Sequence, residues 1–372
     1  MLRKRLQLGL IHLAVAMTLV PINSTLNRVM IKELGIAATV VALLASFPYL
    51  FAPLQVAIGS YSDRHPILGF RRSPYILFGL LLCVGGLMYS PQIAFLMSTN
   101  PGLGIVVAGL TFGAWGMGYN LSSVSYLALA SEISGEKERG KTIAIMWFMM
   151  IVSIIFTAVA ISRMVDPYSP AALQRAFQMV AFCALAIGLL GLFRLESRLG
   201  DGQGTPVENY TFKDMAAVIL KSRQVTLFFW YLTLLLAAIL GQDVLLEPFA
   251  AEAFGMTVQQ TTRITSIWGG AVLLTILLAG ILERILSRKQ VAQIGNLSAL
   301  GGFIIILTSG LMLSTSIFWF GVVLLGMGTG LATVANLALM FDLTLPGYTG
   351  LFIGAWGVSN ALSRLLGTMM AG

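Results

Sequence analysis

The sequence predicts an all-α integral membrane protein made of two pseudo-symmetric six-helix halves. Composition, the spacing of the apolar runs and an internal repeat carry that reading. Of 372 residues, 57% are hydrophobic and 10% charged, with a mean hydropathy of +0.88. A soluble domain carries about 25% charged residues, so a water-facing surface for this chain could not be built from so few. The apolar runs are long and continuous, as in membrane helices, and do not alternate as barrel strands do.

In order along the chain, "MLRKRLQLGLIHLAVAMTLV" has the basic start and apolar run of a signal peptide. No small-residue cleavage site follows and the apolar character continues, so it is read as a retained first span over 6–31. Further spans follow at 38–60, 73–97, 102–132, 141–162 and 174–195. The polar stretch "RLESRLGDGQGTPVENYTFKDM" (194–215) then interrupts the pattern. It divides an N-terminal half, 1–195, from a linker with an amphipathic interfacial helix, 196–224, and a C-terminal half, 225–372. The second half holds spans at 225–248, 259–284, 290–314, 317–342 and 349–372. That gives eleven; a twelfth is expected by symmetry, and truncation of the chain is the reading of its absence.

The formal charge is +8. With the N-terminus on the cytoplasmic side, 17 of the 23 basic residues fall in cytoplasmic segments. Only Arg28, Lys32, Arg163, Arg175, Arg263 and Arg364 do not. The excess is thus a sidedness signal and does not call for a nucleic-acid partner. Cys83 and Cys183 both sit in apolar runs and read as small core residues.

The halves repeat each other. "YLALASEISGEKERGKTIAIMW" at the end of the fourth span aligns with "NLALMFDLTLPGYTGLFIGAW" at the end of the tenth, placing Glu132 over Asp342. "LNRVMIKELG" aligns with "GQDVLLEPFA", placing Arg28 over Asp243 and Lys32 over Glu247. The basic loop 59–76, "GSYSDRHPILGFRRSPYI", aligns with "LERILSRKQ". Such halves match the layout of the major facilitator fold, in which they rock about a midplane site.

The loop residues Gly59, Asp63, Arg64, Gly69, Arg71 and Arg72 resemble that superfamily's helix 2–3 signature. Here "HPIL" lengthens the spacing before the glycine, and the form ending "GFRRSPYI" resembles the bacteriochlorophyll-delivery family of PucC and LhaA proteins. "LEPFAAEAFGMTVQQTTRITSIWGG" (246–270), "ALASEISGEKERGKTIAIMW" (128–147) and "FDLTLPGYTGLFIGAWG" (341–357) resemble the same branch. The resemblance implies supply of chlorophyll or bacteriochlorophyll, and perhaps carotenoid, to light-harvesting or photosystem proteins. Chlorophyll-synthesis proteins are implied as further partners, and the setting as a bacterial photosynthetic membrane or cyanobacterial thylakoid.

Candidate site residues fall into three groups. Asp63 closes the second span, where a helix end already concentrates negative charge. With Gly59, Arg64, Gly69, Arg71, Arg72, Glu132, Arg139 and Asp342 it forms a candidate cytoplasmic latch. The plainer reading is a solvated basic loop. On the other side, Arg28 with Asp243 and Lys32 with Glu247 are candidate inter-half salt bridges of an outer gate, each helix presenting its two charges four residues apart. Alternatively each charge reaches the interface on its own. Asn23, Asn27, Asn120, Gln242 and Asn336 are candidate cavity-lining amides, or hydrogen-bond glue between helices. His12 is the sole imidazole within a span, a candidate magnesium ligand for chlorophyll or a packing residue.

No nucleotide-binding loop, metal-ligand spacing or catalytic triad is present, so an enzyme is not expected. Three readings remain: pigment transport or lateral delivery, a non-transporting pigment-protein assembly factor, and a proton-coupled exporter of small molecules. The last is weakened by acids placed near span ends.

Overall fold

The computed structural model describes residues 1–51, 54, 58, 61–62, 65–198, 220, 222–282, 285–343 and 349–371. These residues are almost wholly helical, with one isolated bridge between Ile67 and Phe70. Among them are nine helical stretches long and apolar enough to cross a membrane.

Helix α1 (Leu2–Pro21) runs directly into two π-helical segments, Ile22–Leu26 and Val29–Glu33. Pro21 has no N–H to give to the preceding turn, which favours a change of hydrogen-bond register there. The wider turn is visible where the Leu34 N–H donates to the Val29 carbonyl at 3.0 Å. The second span is broken into α2 (Ala38–Ala45) and α3 (Phe47–Leu50) at Ser46–Pro48. The Ser46 hydroxyl turns back to the Leu43 carbonyl at 2.7 Å.

After α4 (Ser73–Thr99), α5 covers Pro101–Met164 without a break. A straight helix of that length would extend about 96 Å, some three times a bilayer's apolar core. It is not straight. The hydroxyls of Ser134 and Thr142 lie 2.6 Å apart, whereas eight residues of straight helix rise about 12 Å. The chain therefore reverses between them, and the arms Pro101–Ser134 and Ile145–Met164 are separate candidate spans, as the sequence predicts.

Helices α6 (Pro170–Leu192), α7 (Arg223–Phe254), α8 (Val258–Leu282), α9 (Arg288–Leu311), α10 (Thr315–Asp342) and α11 (Thr349–Ala371) complete the chain. Gly255, at φ +63, supplies the left-handed residue that ends α7. A capping box of Ser287 and Gln290 starts α9.

Small residues draw the equivalent helix pairs of each half together. A Cβ on Gly79 would come within 2.6 Å of the Gly118 carbonyl, joining α4 to the first arm of α5. One on Gly302 would meet the Leu325 nitrogen at 2.6 Å, joining α9 to α10. Leu8, Ile11, Ile76, Leu80, Trp115 and Phe177 fill the N-terminal core. Ile264, Ala299, Ile306, Phe318 and Leu325 fill the C-terminal one.

Candidate functional site at the seam between the halves

At the face carrying the basic loops, Arg72 is 4% exposed and reaches Glu132 of α5 through Nε at 3.1 Å and Nη2 at 3.0 Å. Its Nη1 donates to Ser62 Oγ at 2.7 Å. In the second half Arg288 pairs with Asp342, so the repeat alignment of Glu132 with Asp342 holds in three dimensions. Both pairs close within their own half. Gly69 takes φ +81 in the turn before Arg71. Gly59, Asp63 and Arg64, and the side chain of Arg139, lie outside the described residues.

Glu196 was not among the residues singled out from the sequence. Its carboxylate accepts the backbone N–H groups of Arg71 at 2.9 Å, Arg72 at 3.1 Å and Ser73 at 2.7 Å. These are orphan donors at the start of α4, where negative charge is favoured. Arg198 covers the Phe70 ring at 5.7 Å. The first residues after α6 are thereby fastened to the loop. The available signal was a carboxylate directly after a span, set among arginines.

At the opposite face the halves meet. Lys32 pairs with Glu252 of α7, and Arg28 pairs with Glu33 and donates to the Met256 carbonyl at 3.2 Å. Glu247, only 4% exposed, accepts from Ser24 and from Thr265 Oγ1, the latter at 3.0 Å. Thr25 and Thr262 hydroxyls are 3.1 Å apart, and Ser162 donates to the Gln259 carbonyl at 2.8 Å. The expected pairing of Lys32 with Glu247 is thus corrected to Lys32 with Glu252, and Arg28 takes Glu33 in place of Asp243. The cause is the π-helical end of α1. Positions five apart, Arg28 and Glu33, share a face there, and the four-residue spacing of an α-helix no longer applies. The side chain of Asp243 lies outside the described residues. Tyr168, in the α5–α6 connection, has its hydroxyl pKa raised by burial and by the nearby Glu33 carboxylate, with Arg28 opposing.

Three of the amides are spent on backbone. Asn27 donates to the Asn23 carbonyl at 3.0 Å, and Asn336 to Ala332 at 2.8 Å. Asn120 donates to Gly116 at 2.8 Å and to Pro48 at 2.7 Å. All three are at most 1% exposed, which corrects the cavity-lining reading for them. Asn23 and Gln242 remain half-buried, and Gln242 Oε1 has no hydrogen-bond partner. The His12 ring packs on Tyr126 with centroids 5.1 Å apart. Its Nδ1 is buried without a partner, so the protein seals that nitrogen from any metal. By the repeat alignment Asn336 is the equivalent of Tyr126, and it too faces the first helix of its half, accepting from Tyr231 at 3.1 Å.

Between these two faces, Arg364 of α11 crosses the seam. Its Nη1 donates to Tyr49 Oη at 3.1 Å, and its guanidinium carbon stands 5.3 Å over the Tyr49 ring. Tyr119 of α5 is within electrostatic reach of both. Asn120 and Gly116 hold the Tyr49 segment against α5: the amide ties Pro48, and a Cβ on Gly116 would meet Pro48 N at 2.8 Å. The signal was a single arginine deep in an apolar span, which is costly and marks function by default. Sequence reasoning had used Arg364 only in the charge balance.

A family model described as PUCC protein matches residues 25–372. The chain is 33% identical over 384 residues to protein PucC of Cereibacter sphaeroides, covering 100% of this chain and 82% of that one. It is 30% identical over 393 residues to protein PucC of Rhodobacter capsulatus, at 100% and 83% coverage. It is 25% identical over 370 residues to a Rhodobacter capsulatus protein called bacteriochlorophyll synthase 44.5 kDa chain, at 98% and 85%. Among solved structures, the nucleoside transporter NupG superposes with a TM-score of 0.71 at 14% identity, covering 99% of this chain and 89% of that one. A D-xylose–proton symporter gives 0.69 at 15%, covering 98% and 87%. At those identities the solved structures establish the fold alone, a major facilitator scaffold. The chain is a multi-pass membrane protein of that fold and belongs to the PUCC protein family.

Proposed function

We propose that this protein handles a chlorophyll- or bacteriochlorophyll-type pigment, with carotenoid as a second ligand, during assembly of light-harvesting or photosystem complexes. The transporter scaffold supplies two rocking halves, and the pigment is cargo held between them. The observation that carries the reading is the Tyr49–Arg364 contact, an aromatic and cationic pair spanning both halves within the apolar region. Family membership supports it, as does the word bacteriochlorophyll in the name of one full-length relative.

In this reading the N-terminus and the basic loops face the cytoplasm of a photosynthetic membrane. The partners are the bilayer, nascent light-harvesting or photosystem polypeptides and pigment-synthesis proteins. His12 Nδ1 is closed off, so an imidazole bond to a chlorin metal would have to use Nε2. No chemical step is assigned to the protein, which binds and releases without making bonds.

The test is purification from a phototrophic membrane followed by an absorption spectrum. Chlorin or carotenoid bands at stoichiometric level support pigment handling. A colourless protein that exchanges small polar solutes in liposomes would overturn it.

A further inference from the structure

We infer that Arg364, framed by Tyr49 and Tyr119, recognises a carboxylate on a flat, largely apolar molecule entering at the seam of α3 and α11. For the pigment reading, on which the identity of the cargo rests, this means the free-acid form of a tetrapyrrole is preferred to its ester.

Charge supplies the first argument. Placing an arginine at this depth of α11 costs several kcal/mol unless an anion or a dense set of acceptors meets it. Tyr49 Oη, a neutral acceptor, receives one of its N–H groups at 3.1 Å. A carboxylate binds a guanidinium through two parallel hydrogen bonds, about twice as strong as neutral ones, and displaces weaker acceptors from the same fork.

Shape supplies the second. Arg364 is half-buried, so part of it is open, and the neighbouring groups present aromatic faces. Tyr119 is half-buried on the adjoining arm of α5. Flat π-systems stack on tyrosine rings and on guanidinium planes alike. A hydrophilic anion would gain nothing from those faces, whereas an amphiphile with a flat body gains from both.

Construction supplies the third. Tyr49 belongs to the short α3, and Asn120 fixes the Pro48 carbonyl at 2.7 Å, so the ring is held by α5 and not by its own broken helix. On the other wall, Ser363 beside Arg364 donates to the Thr233 carbonyl at 2.8 Å, and Gly367 lies against Gly241 of α7. Both walls are braced, each by its own half. Such bracing is what a preorganised binding site requires and what lipid contact does not.

The experiment uses the full chain in nanodiscs, with a metal-free chlorin bearing a free propionic acid and the methyl ester of the same chlorin as probes. Binding is read from quenching of tryptophan fluorescence. For the unaltered protein the acid should bind at least about ten-fold more tightly than the ester. In Arg364→Gln that preference should fall to within about two-fold, with ester affinity unchanged. Arg364→Lys should retain part of the preference, and Tyr49→Phe should keep the ring while lowering it by about three-fold. Equal binding of acid and ester by the unaltered protein, or equal loss of both in Arg364→Gln, overturns the inference.

A second pair of probes, oleic acid and methyl oleate, separates the two readings. If neither chlorin binds but oleic acid is preferred to its ester in an Arg364-dependent way, the pigment reading fails and carboxylate recognition by a lipid-derived acid stands. If neither pair is discriminated, the carboxylate site itself fails. Size-exclusion profiles of the Lys and Phe variants check that the fold is kept.

Discussion

Arg72 and Glu132 form an ion pair beside the start of α4, and Arg288 and Asp342 repeat it one half later in a more exposed setting. Arg72 is 4% exposed, whereas Arg288 and Asp342 are 46% and 50% exposed. The equivalent pairs should therefore differ in value.

Removing one partner of a buried pair strands the other, at roughly 3–5 kcal/mol, and half-exposure of Glu132 lowers the expectation for Arg72→Ala to about 1–3 kcal/mol. Arg288→Ala should cost under about 1 kcal/mol. Thermal unfolding in one detergent measures both. Equal losses would show that the two halves are anchored alike in spite of their different burial.

Glu196→Ala removes the acceptor of three backbone N–H groups at the beginning of α4. The cost should be about 1–2 kcal/mol, as for loss of a strong helix cap. Hydrogen exchange at Arg71, Arg72 and Ser73 should quicken, while amides in the middle of α4 stay protected. Unchanged exchange at those three positions would count against the cap.

At the opposite face, Glu247→Ala leaves the hydroxyls of Ser24 and Thr265 without their shared acceptor. That should weaken closure by roughly 1–3 kcal/mol. Lys32→Ala removes a pair whose members are 37% and 74% exposed, worth under about 1 kcal/mol. Spin-label distances across that face should lengthen or broaden for Glu247→Ala and stay close to the parent for Lys32→Ala.

Gly241→Ala would drive a Cβ to 2.8 Å from the Gly367 carbonyl, so α7 and α11 must separate. Folded yield and melting temperature should both fall sharply. Gly109→Ala meets nothing within 4 Å and should be neutral or slightly stabilising, since alanine is the better helix former by about 1 kcal/mol. Yield of monodisperse protein compares them directly.

The sequence carried the helical membrane fold because its signals, long apolar runs and charge sidedness, are summed over many residues. The reversal near Ser134 and Thr142 was legible as a polar gap between two apolar runs, although helical bonding continues through it. Less legible was anything that depends on exact helical phase. Pairing Lys32 with Glu247 assumed an α-helical spacing, and the π-helical turns before Glu33 displaced the charges by a residue. Asn120 read as a cavity residue because nothing in the sequence shows that α2 and α3 part at Ser46, leaving Pro48's carbonyl for it to hold. Arg364 was visible as a lone cation, but its aromatic neighbours lie more than 240 positions away.

The pinning of Pro48 by Asn120 has a thermodynamic consequence. Tyr49 travels with one half and Arg364 with the other, so whatever occupies the space between them senses the angle at which the halves stand. By linkage, an occupant that binds one angle better must bias the protein toward it by the same factor. Cargo and conformation are then two readings of a single equilibrium, and the hydrogen bond across the seam is its gauge.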